Sequence, residues 1–321
     1  MTESPAIADD LDPDIRRFQR EMAASYGRYP DFEQLSLPER RRIAEEVRAP
    51  WTSGGPVMHR TEERLVGPLG VRIRIHRPDD KPAAPVLIYV HGGGWTMFSL
   101  DTHDRLMREY AARAGVVVVG VDYSLSPEAK FPVALDQIDS VIGWLRSEGT
   151  AHGIDPARIA IGGDSVGGNM TVAANLRLLA AGKPPLAAML INYGAFDSRP
   201  AHPSYQRYDG PEYNLTIAEM AVFWDNYART PADLDNPFAS PIRADLAGLP
   251  PAFFAIAECD VLADENRVLA GRMIKAGVSV DLNVYMGATH SFVEAVSISP
   301  LADRALSEAS AWLAARLKSP A

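Results

Sequence analysis

The chain has 321 residues, of which 47% are hydrophobic and 23% charged, with a formal net charge of −9. That composition fits a globular chain with one large domain and an appendage, or two ordinary domains. The negative charge argues against nucleic acid or an anionic membrane as the main partner. A single cysteine, Cys259, excludes an intramolecular disulfide.

Residues 1–14 are acidic and polar and carry no basic stretch followed by an apolar one, so no secretory signal is read and the expected location is the cytoplasm. Ile15, Phe18, Met22 and Tyr26 recur at helical spacing and predict an amphipathic helix. Ser36 with Glu39 has the form of a capping box for a second helix ending near Ala49 and Pro50. Residues 51–56 read as a loop. Val71, Ile73 and Ile75 then alternate with Arg72, Arg74 and His76, as in a half-exposed strand.

From residue 86 onward, strands and helices alternate. Apolar strands are predicted at 86–90, 116–122, 158–161, 186–192, 253–257 and 278–285. Helices are predicted at 104–114, along Ala134, Ile138, Val141, Ile142 and Leu145, at 169–181, at 264–276, and along Leu306, Ala309, Leu313 and Leu317. The longest apolar runs, such as 116–119, suit strands and are far too short to span a bilayer. The alternation predicts an α/β fold: a mostly parallel sheet with helices on both faces and chemistry at the carboxyl ends of the strands. Residues 196–245 interrupt the rhythm with Pro, Asp and aromatic residues. They read as a lid insertion with its own helix at about 217–227.

Two motifs end such strands. Gly163-Asp164-Ser165-Val166-Gly167 has the G-x-S-x-G form of a nucleophile elbow, a strand-to-helix turn that exposes a serine oxygen. Its glycines suit a turn in which strand and helix approach too closely for a Cβ. His91-Gly92-Gly93-Gly94-Trp95 follows the strand at 86–90, and backbone N–H groups in such a loop can converge on one oxygen. Together the motifs indicate hydrolysis of an ester or amide. A serine hydroxyl needs a base, and the expected chain order is nucleophile, acid, histidine. His290, in the segment 287–292, lies after both the serine and a late strand; His202 sits in the irregular insertion. Asp260 ends an apolar strand and is favoured as the acid, with Glu258 as the alternative and helix capping as a second role for Asp260.

The His-Gly-Gly-Gly-Trp loop, Gly163 to Gly168, the run Asp260 to Glu265, the segment Gly287 to Phe292 and the Asp122-Tyr123 block together resemble the hormone-sensitive-lipase-like (bacterial family IV) carboxylesterases of the α/β-hydrolase superfamily. The resemblance covers roughly residues 60–320. It implies Ser165 as nucleophile, His290 as base and Asp260 as orienting acid. It also implies an oxyanion hole from the N–H groups of Gly93, Gly94 and Val166, with Gly92 the nearest competitor. Residues 1–50 would be an N-terminal helical cap segment and 196–245 a cap insertion, around a core formed by 51–195 and 246–321. The resemblance is compatible with a homodimer paired through an edge strand. Two positions depart from the family pattern: Val166 stands where alanine is usual, with a bulk expected to crowd the pocket, and Ser124 stands where arginine is usual.

The expected activity is serine carboxylesterase chemistry on short- to medium-chain acyl esters, without cofactor or metal. The alternatives are an amidase or carbamate hydrolase with the same triad and a non-catalytic small-molecule receptor. The retained His290 weighs against the receptor reading. Pocket candidates are Trp51, Trp95, Met97, Phe98, Tyr208, Phe223 and Trp224. His91 is expected to anchor its loop, residues 101–104 to cap a helix rather than hold a metal, and Arg40-Arg41-Arg42 to form a solvated helix face.

Overall fold

A computed structural model describes residues 10–318. The first nine residues of the expected N-terminal cap segment, and the last three of the second core part, lie outside the described residues. Helix α1 (Pro13–Tyr26) starts where the Asp12 carboxylate accepts from the N–H groups of Asp14 (3.0 Å) and Ile15 (3.2 Å). It buries Ile15, Phe18 and Met22. Helix α2 (Leu37–Thr52) opens with the Ser36–Glu39 capping box. It runs past Pro50 because Trp51 packs edge-on against Phe18, with ring centroids 4.6 Å apart.

Strands β1 (Arg60–Val66), β2 (Val71–Arg77), β3 (Ala84–Val90), β4 (Val117–Val121), β5 (Ile154–Asp164), β6 (Met189–Asn192), β7 (Ala252–Cys259) and β8 (Val280–Thr289) form one sheet. Their order is β1-β2-β4-β3-β5-β6-β7-β8. The β1–β2 and β2–β4 pairs are antiparallel and the rest parallel. Strand β1 is mostly exposed and carries Arg60, Glu62, Glu63 and Arg64, so no apolar periodicity marks it. The alternation expected along β2 fails at His76, which is buried because Thr61 of β1 and Asp104 close over it at 3.0 and 3.3 Å.

Helices α3 (Asp104–Ala114), α4 (Val133–Glu148), α5 (Val166–Ala180), α6 (Pro203–Arg207), α7 (Ile217–Tyr227), α8 (Ala263–Lys275) and α9 (Pro300–Arg316) complete the chain. The pleat of β3 divides the core into two layers. Val86, Ile88 and Val90 join α4, α5 and α8 on one face. Leu87 and Tyr89 join α1, α3 and α9 on the other.

Helices α6 and α7 lie in the stretch between β6 and β7. The buried Glu265 of α8 ties the root of that stretch down, accepting from Phe196 N–H (2.6 Å) and Tyr205 Oη (3.0 Å). The β5-to-α5 turn is packed to the limit. A methyl group at Gly167 would overlap the Val90 carbonyl oxygen, far inside van der Waals contact. Gly167→Ala is expected to lower stability by at least ~1–3 kcal/mol, seen as a lower midpoint in thermal unfolding.

Candidate active site

The turn between β5 and α5 holds Ser165 at φ 54°, ψ −120°, a conformation a non-glycine residue adopts only when its surroundings enforce it. Three backbone bonds enforce it. Ser165 N–H donates to Asn192 O (2.9 Å), and Ser165 O accepts from Asn169 N–H and Ala195 N–H (each 3.2 Å). The hydroxyl is thereby placed at the carboxyl edge of the sheet, at the N-terminus of α5, where the helix dipole favours negative charge.

Strand β8 continues through Thr289, longer than its apolar pattern predicted, and delivers His290 to the same edge. Its Nε2 lies 3.0 Å from Ser165 Oγ, and its Nδ1 lies 2.8 Å from Asp260 Oδ2. A carboxylate only accepts, so Nδ1 carries the proton and Nε2 presents its lone pair to the serine hydroxyl. Asp260 Oδ1 accepts from Leu262 N–H at 2.9 Å, so the capping role coexists with the histidine contact. Glu258 turns away and accepts from Gly287 N–H at 2.9 Å. His202 is remote from this set and pairs with Asp197. Burial disfavours an imidazolium at His290, but the attraction of Asp260 outweighs it and raises the histidine's pKa above the ordinary value.

Ser165, His290, Gly93 and Gly94 line a cavity of about 680 Å³. Met97, Phe98, Leu215, Met220 and Phe223 supply apolar wall. A separate depression of about 380 Å³, lined by Gly67, Ser140 and Trp144, contains none of the candidate residues.

Four of the expected pocket residues do not line the cavity. Trp95 stacks on Tyr227 (centroids 4.0 Å apart, planes 5° apart) and tilts against Trp224 (4.6 Å), so both indoles are spent joining the glycine loop to α7. Trp51 is spent on Phe18, and Tyr208 packs edge-on against Tyr213 at 5.1 Å. Val166 does not crowd the pocket; its side chain is fully buried in the sheet's core layer. Gly92 is not a free oxyanion donor, because its N–H is directed at Asp164 Oδ1 at 3.2 Å.

Of the arginine run only Arg42 is a solvated face residue, exposed and paired with Glu46 one turn on. Arg41 donates to the carbonyls of Thr96 and Ser126 (each 2.8 Å) and grips Glu128, pinning α2 to the glycine loop. Arg40 lines the cavity beside Glu33. His91 anchors its loop as expected: its Nδ1 lies 2.8 Å from Gly92 O, its ring stacks on Tyr123, and burial pushes its pKa down to about 3. His103 occupies the N-cap position of α3 without capping it; its imidazole turns inward to Asp164 at 3.2 Å.

Sequence reasoning missed Asp164, Tyr89, His103 and Asn214. Asn214, in the left-handed region at φ 81°, lines the cavity and donates its Nδ2–H to His290 O at 3.0 Å. Nothing in its local sequence marks that contact, which spans 76 positions. Among the described residues no group of three or more His, Cys, Asp or Glu side chains is placed to hold a metal ion, and no helix is long and apolar enough to cross a membrane.

The family model described as the alpha/beta hydrolase fold matches residues 87–294. An ethyl acetate hydrolase of Pseudomonas putida is 41% identical over 243 residues, covering 73% of this chain and 75% of its own. The carboxylesterase NlhH of Mycobacterium tuberculosis is 34% identical over 258 residues, covering 77% and 79%. Among solved structures, a thermostable esterase from Pseudomonas putida superposes with a TM-score of 0.91 at 31% identity, over 98% of this chain and all of that one (100%).

Proposed function

The chain belongs to the hormone-sensitive-lipase-like carboxylesterases of the α/β-hydrolase fold, and from that premise we propose that it hydrolyses short- to medium-chain acyl esters with Ser165 as nucleophile. The observation that carries the residue assignment is the continuous Ser165–His290–Asp260 hydrogen-bond chain, with links of 3.0 and 2.8 Å, facing a bounded cavity.

In this reading, Ser165 Oγ attacks the ester carbonyl while His290 Nε2 takes its proton. The N–H groups of Gly93, Gly94 and Val166 receive the developing oxyanion. Asp260 holds the imidazole tautomer and stabilises the imidazolium as it forms. His290 then protonates the departing alcohol. Water, deprotonated by the same nitrogen, attacks the acyl-enzyme and releases the acid.

The chain-length preference rests on the cavity. At about 680 Å³, with Phe98 and Phe223 in its walls, it lies in the range of sites for small organic ligands. Initial rates on p-nitrophenyl esters from acetate to palmitate test this. We expect kcat/KM to peak between acetate and octanoate and to be lower by about tenfold or more for palmitate. A rate still rising at palmitate would refute the size argument. A matched p-nitroanilide run in parallel reads out ester against amide preference.

A further inference from the structure

Immediately before the candidate nucleophile stands a buried carboxylate that the hydrolytic mechanism does not use. Asp164 is 3% exposed and lines the same cavity as Ser165. An unbalanced negative charge there would oppose the second negative charge that forms on the acyl oxygen. Each of its oxygens is engaged. Oδ1 accepts from Tyr89 Oη (2.8 Å) and from Gly92 N–H (3.2 Å), and Oδ2 faces His103 Nε2 at 3.2 Å.

The neighbours of His103 suit a proton on each ring nitrogen. Thr102 Oγ1 has a single proton and donates it to Ser99 O at 2.9 Å, while accepting from Ser99 N–H at 3.1 Å. With its proton on Ser99 O, its remaining lone pair faces His103 Nδ1, 2.8 Å away, an arrangement that suits an N–H on that nitrogen. The other nitrogen faces the Asp164 carboxylate, which suits an N–H there as well. With a proton on each nitrogen His103 would be an imidazolium closing an ion pair with Asp164 at 3.2 Å. Burial opposes charge on both partners, but their mutual attraction prevails, moving the histidine pKa up and the aspartate pKa down. The neighbouring buried charges, Arg48 and Glu294, are themselves paired at 3.2 Å.

We propose that His103 and Asp164 form a charge-balanced strut for the oxyanion loop. Asp164 fixes Gly92, so that the N–H groups of Gly93 and Gly94 remain for the substrate oxygen, and the His103 imidazolium cancels the carboxylate's field at that point. Both are positioning residues. The proposal rests on the esterase reading of Ser165 and the glycine loop.

The test compares the intact protein with His103→Gln and with the double variant His103→Gln/Asp164→Asn. The single variant keeps a hydrogen-bonding side chain but leaves Asp164 uncompensated. The double variant is neutral and nearly isosteric with the original pair. With p-nitrophenyl butyrate we expect His103→Gln to lower kcat by about 100-fold at nearly constant KM. The double variant should recover at least about tenfold of that loss. A double variant no faster than the single one, or a loss carried by KM, overturns the proposal, since a purely structural role predicts no rescue.

A second measurement needs no variant to fold. In protein labelled with ¹⁵N-histidine, both His103 ring nitrogens should show attached protons at neutral pH. One bare nitrogen overturns the ion pair. Labelling of Ser165 by a p-nitrophenyl phosphonate separates the two levels: an intact protein that is neither labelled nor active overturns the esterase reading and the strut's role with it. A labelled, active protein whose His103→Gln variant matches it overturns the strut alone.

Discussion

Ser165→Ala is expected to lower kcat by about six orders of magnitude while leaving the fold and ester affinity nearly unchanged. The hydroxyl is the only group of this residue that reaches His290, and the turn's geometry is held by backbone bonds to Asn192, Asn169 and Ala195 that alanine keeps. Removing one oxygen thus removes the attacking atom without releasing the elbow. Residual turnover, of the order of 10³–10⁴ over water, would come from the oxyanion donors and the cavity alone. Steady-state rates with p-nitrophenyl butyrate, beside the thermal midpoint of each protein, check both halves. A variant that keeps more than about a tenth of the activity would remove Ser165 from the nucleophile's position.

The second large effect is Asp260→Asn, expected to cost about 10⁴-fold in kcat. The amide can present its NH₂ to His290 and so favour the tautomer whose proton sits on Nε2, facing the serine with no lone pair. The pH profile supplies an independent signature. His290 must be neutral to accept the serine proton, so kcat/KM of the intact protein should fall as pH drops through the histidine's pKa. Burial pulls that pKa down and the Asp260 carboxylate more than restores it, so the acid limb should lie above the ordinary value near 6.5. In Asp260→Asn the main attraction is lost, leaving burial against the weaker pull of Asp164 and Glu294, and the limb should move to lower pH. An unmoved limb would mean that Asp260 does not hold the imidazolium and that another carboxylate, Glu258 first, fills the role.

The residues that approach one another at this edge come from widely separated segments, and their legibility differed for physical reasons. The elbow was readable because one of its constraints is local: a Cβ at Gly163 would meet the backbone carbon of Gly167, four residues on, at 2.7 Å. The preference for Asp260 over Glu258 also came from the chain, because side chains at the end of a strand point past the sheet edge whereas Glu258 still lies within β7. The wall of the cavity was not readable. Seven aromatic or Met candidates had equal claim by composition, and three of them, Met97, Phe98 and Phe223, line it. Trp95 and Trp224 were diverted by a ring stack between the glycine loop and α7, elements far apart in the chain, which leaves no periodic trace.

The sequence by itself determined the alternating α/β plan, the elbow with its serine, and the order of acid and histidine. Each of these follows from short-range constraints: a hydrophobic period, a φ only a forced turn adopts, a strand end. Only the tertiary structure decided where the charges go. Gly92 was removed from the oxyanion donors by a carboxylate 72 positions away, and Arg41 left solvent for carbonyls of two separate loops. His103 was drawn from a helix start to a buried aspartate 61 positions away. Such pairings depend on which loops the sheet order brings together at one edge, and polar side chains of the same local pattern serve equally well in solvent until that edge is assembled.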